Sequence, residues 1–263
     1  MSKTIAFWGS SGSGKTINCV AVAEKLTDEQ NKVVVISTDS QSPALPVYLP
    51  SKEILTAYSL GNLLMSNNFA FSNVSDKLHL HPDNPNLAFM GLTQGENITT
   101  YNSFERDKII KLMKTLSLEL DYILIDCNTQ PLLDMLSLTA LELADEAVRC
   151  ITPDNKGIQF LSTQLPLLTD SKFKTDRHIK VLSNITPKSP VDAVCKRTGD
   201  FDFYLPYSVD IYEKFIEGSE LKGFRKQSFL NDNNGYRYEQ EISKLAERVK
   251  QVADTDSDTE STD

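Results

Sequence analysis

Eight residues near the start of the chain constrain its fold more than any other feature. Residues 9–16 read GSSGSGKT and fit the pattern G-x-x-x-x-G-K-[ST] at every fixed position. A short apolar run, residues 4–8, precedes them, and apolar residues at helical spacing follow over residues 16–27. A strand, a glycine-rich turn and a helix in this order predict a phosphate-binding loop. A turn that merely joins a strand to a helix is the alternative.

Each residue type in this loop has a separate task. Glycines let the backbone turn its N–H groups toward phosphate oxygens, Lys15 can reach the β- and γ-phosphates, and the Thr16 hydroxyl can bind Mg²⁺. We therefore predict ATP or ADP with Mg²⁺ as the ligand, and Lys15 as a catalytic residue. The residues predicted to hold the nucleotide here are Gly9, Ser11, Gly12, Ser13, Gly14, Lys15, Thr16 and Ile17.

Two aspartates follow apolar runs that are typical of buried strands. Asp126 comes directly after residues 122–125 (YILI), and Asp39 lies just beyond residues 33–36 (VVVI). A phosphate-binding loop needs a carboxylate on a neighbouring strand to order the metal's water shell, so Asp126 is predicted to be a metal residue. The strand before Asp39 is predicted to end at the γ-phosphate, which would place Asp39 near the metal. The alternatives are a helix N-cap for Asp126 and a solvated turn for Asp39.

Short apolar runs alternate with amphipathic stretches along the chain, which predicts an α/β fold with a mostly parallel central sheet and helices on both faces. Residues 67–86 are predicted to form a loop around a short strand. No repeat or linker divides the chain, so we predict one domain over residues 1–253 and a disordered acidic tail over 254–263. Predicted strands are 4–8, 33–36, 87–90, 122–125, 147–151, 179–182 and 201–205, and predicted helices are 16–27, 104–120 and 238–252.

The overall composition narrows the class of protein. The net charge is −9, to which the tail contributes five acids, and this argues against a general nucleic-acid coat protein. No run of 18 apolar residues predicts a membrane span, and the first residues do not resemble a secretion signal. Four scattered cysteines indicate free thiols in a reducing cytoplasm. His79 and His81 are expected on a plain surface strand rather than in a metal site.

The order of these motifs resembles the ParA/MinD group of deviant-Walker ATPases. The likeness extends from the loop through V-V-V-I-x-x-D-x-Q and D-Y-I-L-I-D to residues 151–154 (ITPD), 180–184 (KVLSN), 205–207 (LPY) and the closing helix. It implies that Asp39 orients the attacking water and Asp126 holds the Mg²⁺ shell. It also implies that Asn184 binds the adenine edge while Pro206 and Tyr207 pack on the base. For Asn184 alone, a strand-end turn is an equally good interpretation.

The resemblance implies a switch protein that forms a nucleotide-dependent homodimer and positions or partitions a cellular cargo. Three departures affect the expected ATPase activity. Ser10 stands where the family has its signature Lys, Ser37 replaces the first Asp of a D-x-D motif, and residues 126–131 lack the family's Gly. Losing one charge-assisted transition-state contact costs about 10²–10³ in rate. We therefore expect tight ATP or ADP binding with slow hydrolysis.

Such atypical signatures are similar to the TadZ/CpaE pilus-localisation branch of the family. A DNA-partition ATPase is the first alternative, with a basic face drawn from Lys172, Lys174, Arg177, Lys180, Lys222, Arg225 and Lys226. A small-molecule P-loop kinase is the second, although the seven arginines do not cluster as a phosphoryl clamp. A weak membrane-surface interpretation rests on basic residues of the closing helix, Lys244, Arg248 and Lys250.

Overall fold

One eight-stranded sheet runs through the computed structural model, which describes residues 2–97, 99–101, 103–226 and 233–251. The order of the strands in the sheet is β3-β4-β2-β5-β1-β6-β7-β8. All described pairs are parallel except β3 with β4. The strands are β1 (Lys3–Gly9), β2 (Val33–Ser37), β3 (His79–His81), β4 (Asn84–Met90), β5 (Tyr122–Asp126), β6 (Glu146–Ile151), β7 (Ile179–Ile185) and β8 (Phe203–Pro206).

Helices connect these strands and cover both faces of the sheet. Single 3₁₀ turns lie at Thr56–Tyr58, Pro131–Leu133, Leu165–Leu167 and Ser171–Phe173. The α-helices are α1 (Lys15–Thr27), α2 (Leu45–Tyr48), α3 (Leu60–Met65), α4 (Phe71–Ser75), α5 (Arg106–Ser117), α6 (Met135–Leu143), α7 (Asn155–Gln164), α8 (Val191–Thr198), α9 (Val209–Glu217) and α10 (Asn234–Gln251). None of these helices has both the length and the apolarity that a membrane span requires.

Alternation along β1 divides the core between the two faces. Ile5 and Phe7 pack with α1, α2, α9 and α10, whereas Ala6 and Trp8 face the core under α3, α5 and α6. A smaller cluster around Leu161 joins α7 and α8 to β6 and β7 on that second face. The single α/β domain with helices on both faces, predicted from the sequence, is confirmed.

The predicted strands and helices are present with ends shifted by a few residues. Helices α2 to α4 and α6 to α9 were not predicted, and α4 lies within residues 67–86, which were predicted to form a loop around a short strand. Each of these helices has ten residues or fewer, so a helical period is visible over fewer than three turns. The expectation of a plain surface strand at residues 79–81 was wrong: His79 and His81 are buried, and Leu80 between them is 56% exposed. The edge strand turns its histidines inward, where His79 contacts the Tyr58 carbonyl oxygen and His81 accepts the Asp83 N–H. The predicted tail, 254–263, and Val252 lie outside the described residues.

The closing helix α10 is fastened to α1 by polar contacts as well as by its apolar stripe. The Tyr238 hydroxyl donates to Asn18 Oδ1 at 2.8 Å, and Asn18 Nδ2 donates to the Ser183 hydroxyl of β7 at 3.1 Å. Lys25 and Glu239 form an ion pair at 2.8 Å. Through Asn18, the first part of α1 is therefore held by both α10 and β7. The Lys25 ion pair joins the last turn of α1 to α10.

The other end of α1 carries a buried carboxylate. Glu24 is 2% exposed; its Oε2 accepts the Leu221 N–H at 2.7 Å, and its Oε1 has no hydrogen-bond partner. Burial raises the pKa of Glu24 from 4.5 to about 8, and nearby Glu220 acts in the same direction, against Lys222 and Lys25. The folded protein therefore keeps a proton that the unfolded chain releases between these values. This contribution to stability is complete below pH 4.5 and is lost as the pH rises toward 8.

We predict that Glu24→Gln flattens the pH dependence of stability. Glutamine keeps an acceptor for the Leu221 N–H but cannot ionise, so it avoids a cost of at most about 1.4 kcal/mol per pH unit. Urea unfolding at pH 5, 6, 7 and 8 should give a variant that gains on the parent as the pH rises. Glu119→Gln, at an exposed position, is the matched control. Parallel pH profiles for the parent and Glu24→Gln would contradict the prediction.

Candidate nucleotide-binding site

The loop between β1 and α1 has a backbone that few residues other than glycine adopt. A Cβ atom on Gly9 would lie 1.8 Å from the carbonyl oxygen of Cys150, so a side chain cannot be placed there. Gly12 and Gly14 have φ values of 75° and 70°, in the left-handed region that favours glycine. Gly14 is the N-cap of α1 and has no side chain to accept its first N–H groups. Such donors at a helix N-terminus are suited to binding an anion.

Thr16 and Asp126 meet at the carboxyl edge of the sheet. The Thr16 hydroxyl donates to Asp126 Oδ2 at 2.8 Å, and the buried Tyr48 hydroxyl donates to the same oxygen at 2.9 Å. Asp126 is 2% exposed, and its Oδ1 has no hydrogen-bond partner in the part of the chain that the structure describes. The helix N-cap alternative for Asp126 is wrong, because Gln130 precedes the 3₁₀ turn and Asp134 caps α6.

The pKa of the Asp126 carboxyl is raised above its ordinary value, because the effect of burial exceeds that of the nearby donors. Burial raises the pKa of its carboxyl, while the charge of Lys15 and the hydroxyls of Thr16 and Tyr48 lower it. A buried carboxylate oxygen without a partner beside a threonine hydroxyl is a donor set that suits a hydrated Mg²⁺ ion. The Ser13 hydroxyl, buried in the loop, also has no partner. These residues therefore fit the metal and the phosphate that the sequence predicts here.

Lys15 and Asp39 lie at the same edge. Lys15 Nζ is 3.4 Å from the Thr129 hydroxyl, in the loop that follows β5. Asp39 is half-buried, and its Oδ1 accepts the N–H groups of Gln41 and Ser42, both at 2.9 Å. The turn expected as an alternative for Asp39 is thus present. Its negative charge still raises the pKa of Asp126, so the two carboxylates share one electrostatic environment.

The residues predicted to hold the base line one cavity with the phosphate-binding loop. This cavity measures about 260 Å³. Asn184 has φ 62° at an irregularity of β7, and its Nδ2 donates to the Gly12 carbonyl oxygen at 2.7 Å. The sequence-predicted residues that line it are Gly12, Gly14, Ile17, Asn184, Pro206 and Tyr207.

Sequence reasoning missed several residues of this cavity. Asn18, Ser208, Ile211, Tyr212 and Tyr238 also line it. Tyr238 lies on the apolar stripe of the closing helix, which from the sequence alone indicates core rather than a site. Of the remaining predicted loop residues, Ser11 is exposed at the tip, and Gly9 and Ser13 are buried beneath it.

Ser10 is buried and hydrogen-bonded to the end of β6. It is 3% exposed; its N–H donates to the Cys150 carbonyl oxygen at 3.0 Å, and its Oγ accepts the Thr152 N–H at 3.1 Å. The side chain at this position is therefore directed at the end of β6 rather than outward.

A family model described as an AAA domain matches residues 2–181, more than half of the chain. The chain belongs to that family. Its fold is that of the ParA/MinD P-loop ATPases. No curated protein matches the chain significantly.

Three solved structures illustrate the likeness. The septum site-determining protein MinD of Pyrococcus horikoshii OT3, complexed with Mg-ADP, is 19% identical with a TM-score of 0.69, covering 97% of this chain and 98% of that one. A ParA family ATPase from Chlorobium tepidum TLS is 16% identical with a TM-score of 0.72, covering 93% and 98%. A putative plasmid partition protein from Borrelia burgdorferi B31 bound to AMPPNP is 18% identical with a TM-score of 0.67, covering 94% and 99%.

We predict that Asp126→Asn removes the Mg²⁺ dependence of nucleotide binding. The amide keeps the size of the side chain but offers one neutral acceptor, so the gain in ADP affinity on adding Mg²⁺ should fall by roughly 10- to 100-fold. Calorimetric ADP titrations with Mg²⁺ and with EDTA measure this gain. The exposed Asp107→Asn is the control. An unchanged Mg²⁺ effect in Asp126→Asn would exclude this metal role.

Proposed function

We propose that this protein binds ATP and ADP with Mg²⁺ and acts as a nucleotide-dependent switch. The observation that carries the proposal is the Thr16–Asp126 contact beside the glycine loop, with one buried carboxylate oxygen left without a partner. Such an oxygen costs about 1–3 kcal/mol unless a ligand or its water satisfies it. The P. horikoshii MinD structure holds Mg-ADP in the same fold, which supports the same ligand here.

Each residue has a role in this proposal. Lys15 and the loop N–H groups hold the phosphates, and Thr16 and Asp126 hold the Mg²⁺ ion and its water shell. The metal supplies charge neutralisation for the phosphates. Asn184, Pro206 and Tyr207 bind the adenine in the cavity they share with Gly12. Asp39 orients the attacking water through the carboxylate oxygen that the turn does not use.

Slow hydrolysis is part of the proposal. The buried Ser10 side chain accepts from Thr152 and is too short to reach the phosphates of a second subunit. Ser37 carries no charge where the family has an aspartate. Each missing charge-assisted contact lowers the rate by about 10²–10³. The protein would then spend long periods in the ATP-bound state, as suits a switch.

A nucleotide-dependent homodimer that positions a cellular cargo, such as pilus or secretion machinery, is the form of switch that we propose. The fold recurs in a MinC:MinD cell division protein complex of Aquifex aeolicus and in the Borrelia plasmid partition protein. These proteins support a protein partner or a partitioned cargo as the class of target. A cytoplasmic location belongs to the same proposal, since three of the four cysteines are buried free thiols.

The alternatives receive less support. In the basic face considered for DNA, Lys172 pairs with Glu142 and Asp170. Lys222 in turn pairs with Asp28 and Glu220, so part of this charge is neutralised.

The closing helix likewise offers little to a membrane surface. Its apolar stripe is buried against the sheet, where Leu245 and Val249 are fully buried. Lys244 and Lys250 on its other side are paired with glutamates.

We predict that Lys15→Ala lowers the affinity for ATP by roughly 10- to 100-fold. The variant loses charged hydrogen bonds to the phosphates, each contributing about 1.5–3 kcal/mol. Equilibrium titration with ATP and Mg²⁺ measures the loss. Lys32→Ala, at an exposed lysine outside the loop, should bind like the parent. Equal affinities of Lys15→Ala and the parent would overturn the proposed site.

We predict a monomer with ADP and a dimer with ATP or a slowly hydrolysed ATP analogue. Light-scattering mass after size exclusion, with each nucleotide and Mg²⁺ in turn, tests this. A monomer in all three conditions would contradict the dimeric switch, and a dimer without nucleotide would indicate a constitutive scaffold. A steady-state assay on the same samples should give slow phosphate release, and rapid turnover by the isolated protein would contradict the role assigned to Ser10.

A further inference from the structure

A second cavity lies on the face of the sheet opposite α1. It measures about 330 Å³, within the range of small-molecule sites, and opens between α7 and α8. Its apolar walls are formed by Ile158, Leu161, Leu165 and Pro166. Two further lining residues are Arg149 and Arg197, and none of the lining residues is acidic. An apolar cavity lined by two cations and no acid favours a negatively charged ligand over a cationic one.

Arg149 forms the floor of this cavity. It lies on β6 between Val148 and Cys150, which face α1, so its own side chain points to the α7 side. Arg149 is 8% exposed, and its side chain makes no hydrogen bond or ion pair with another described residue. Burying a guanidinium without such partners is costly, and a ligand would compensate that cost.

The charged groups around Arg149 compensate its charge only in part. Lys180 is its register partner on β7 and adds a second cation on the same face. Asp202 is the acid whose charge acts on Arg149. That carboxylate already accepts the Lys180 N–H at 2.7 Å. The buried His178 on the other side is hydrogen-bonded to Trp8 and Phe173 and offers no negative charge.

Arg197 lies on α8 at the exposed rim of the same cavity. Its side chain, too, makes no hydrogen bond or ion pair with another described residue. The two arginines are distant in the sequence, and the fold brings them to one cavity. A guanidinium offers several N–H donors in one plane and matches a carboxylate in a bidentate manner.

We propose that this cavity binds a small organic monoanion, a carboxylate carried by an apolar body. The carboxylate would lie against Arg149, with Arg197 closing over it from the rim. The apolar body would pack against Ile158, Leu161 and Leu165. The site lies across the sheet from α1, so its occupant does not compete with a nucleotide, and its existence does not depend on the nucleotide site.

Trp8 provides a local readout. It is the only tryptophan of the sequence, and it lies in register with Arg149 on the neighbouring strand. Its ring packs against His178 and Phe160, and Phe160 belongs to α7. A ligand between α7 and the sheet should therefore change the fluorescence of Trp8.

The test is a titration of the full chain with hexanoate, without nucleotide, followed by Trp8 fluorescence. We expect saturable binding with a millimolar Kd, as is usual for so small a ligand, and no saturable response to 1-hexanol. Arg149→Met should weaken hexanoate binding at least tenfold, and Arg197→Gln should weaken it by a smaller factor. Arg177→Gln, at an exposed arginine outside the cavity, should bind like the parent.

Thermal unfolding separates a binding role of Arg149 from a structural one. Replacing an unpaired buried cation by an apolar side chain of similar length should raise the Tm of the free protein by a few degrees. Hexanoate should raise the Tm of the parent but not that of Arg149→Met. Equal responses to hexanoate and 1-hexanol, or unchanged hexanoate binding in both Arg149→Met and Arg197→Gln, would overturn the proposal. If Arg149→Met fails to fold, Arg197→Gln alone decides.

Discussion

The close approach of β1 to β6 at Gly9 is the constraint on which the candidate site depends. The Gly9 backbone lies so near the Cys150 carbonyl oxygen that no Cβ fits between them. With β5 on the other side of β1, this places the glycine loop between Asp126 and the end of β6. Parallel strands end at one edge, so the loop, the carboxylate and the cavity predicted to hold the adenine all form at that edge.

At the same edge of the sheet, burial disfavours the ionised form of a carboxyl group. Asp126 is kept nearly out of water, and only Lys15 and two hydroxyls offset the loss of hydration. Glu24, near the other end of α1, is likewise buried, with one oxygen that has no hydrogen-bond partner among the described residues. Ser10 differs, because its Oγ accepts the Thr152 N–H. At this edge of the sheet Ser10 therefore has a structural contact, whereas Asp126 has an oxygen without a partner among the described residues, where we propose the metal.

The sequence by itself determined the phosphate-binding loop, the central strands and the fold class. The reason is that these features are local. Glycines at fixed spacing allow a loop conformation that other residues resist, and apolar runs such as residues 33–36 and 122–125 are compatible with little except buried strands. Asp126 was also predictable, because it follows such a run. Helices α2 to α4 and α6 to α9 were not, because each has ten residues or fewer, and helices this short depend on packing against the rest of the fold.

Only the tertiary structure decided which distant residues meet. Tyr238 belongs to the adenine cavity because α10 packs on α1, and the inward side chains of His79 and His81 follow from the position of β3 at the sheet edge. Asp39 adopts the turn that the sequence left as one of two alternatives. Arg149 and Arg197 share a cavity because α8, which follows β7, packs beside α7 over the neighbouring strands β6 and β7. The periodicity of a sequence indicates which way a side chain points within its own helix or strand. Packing between helices and strands decides which residue it meets.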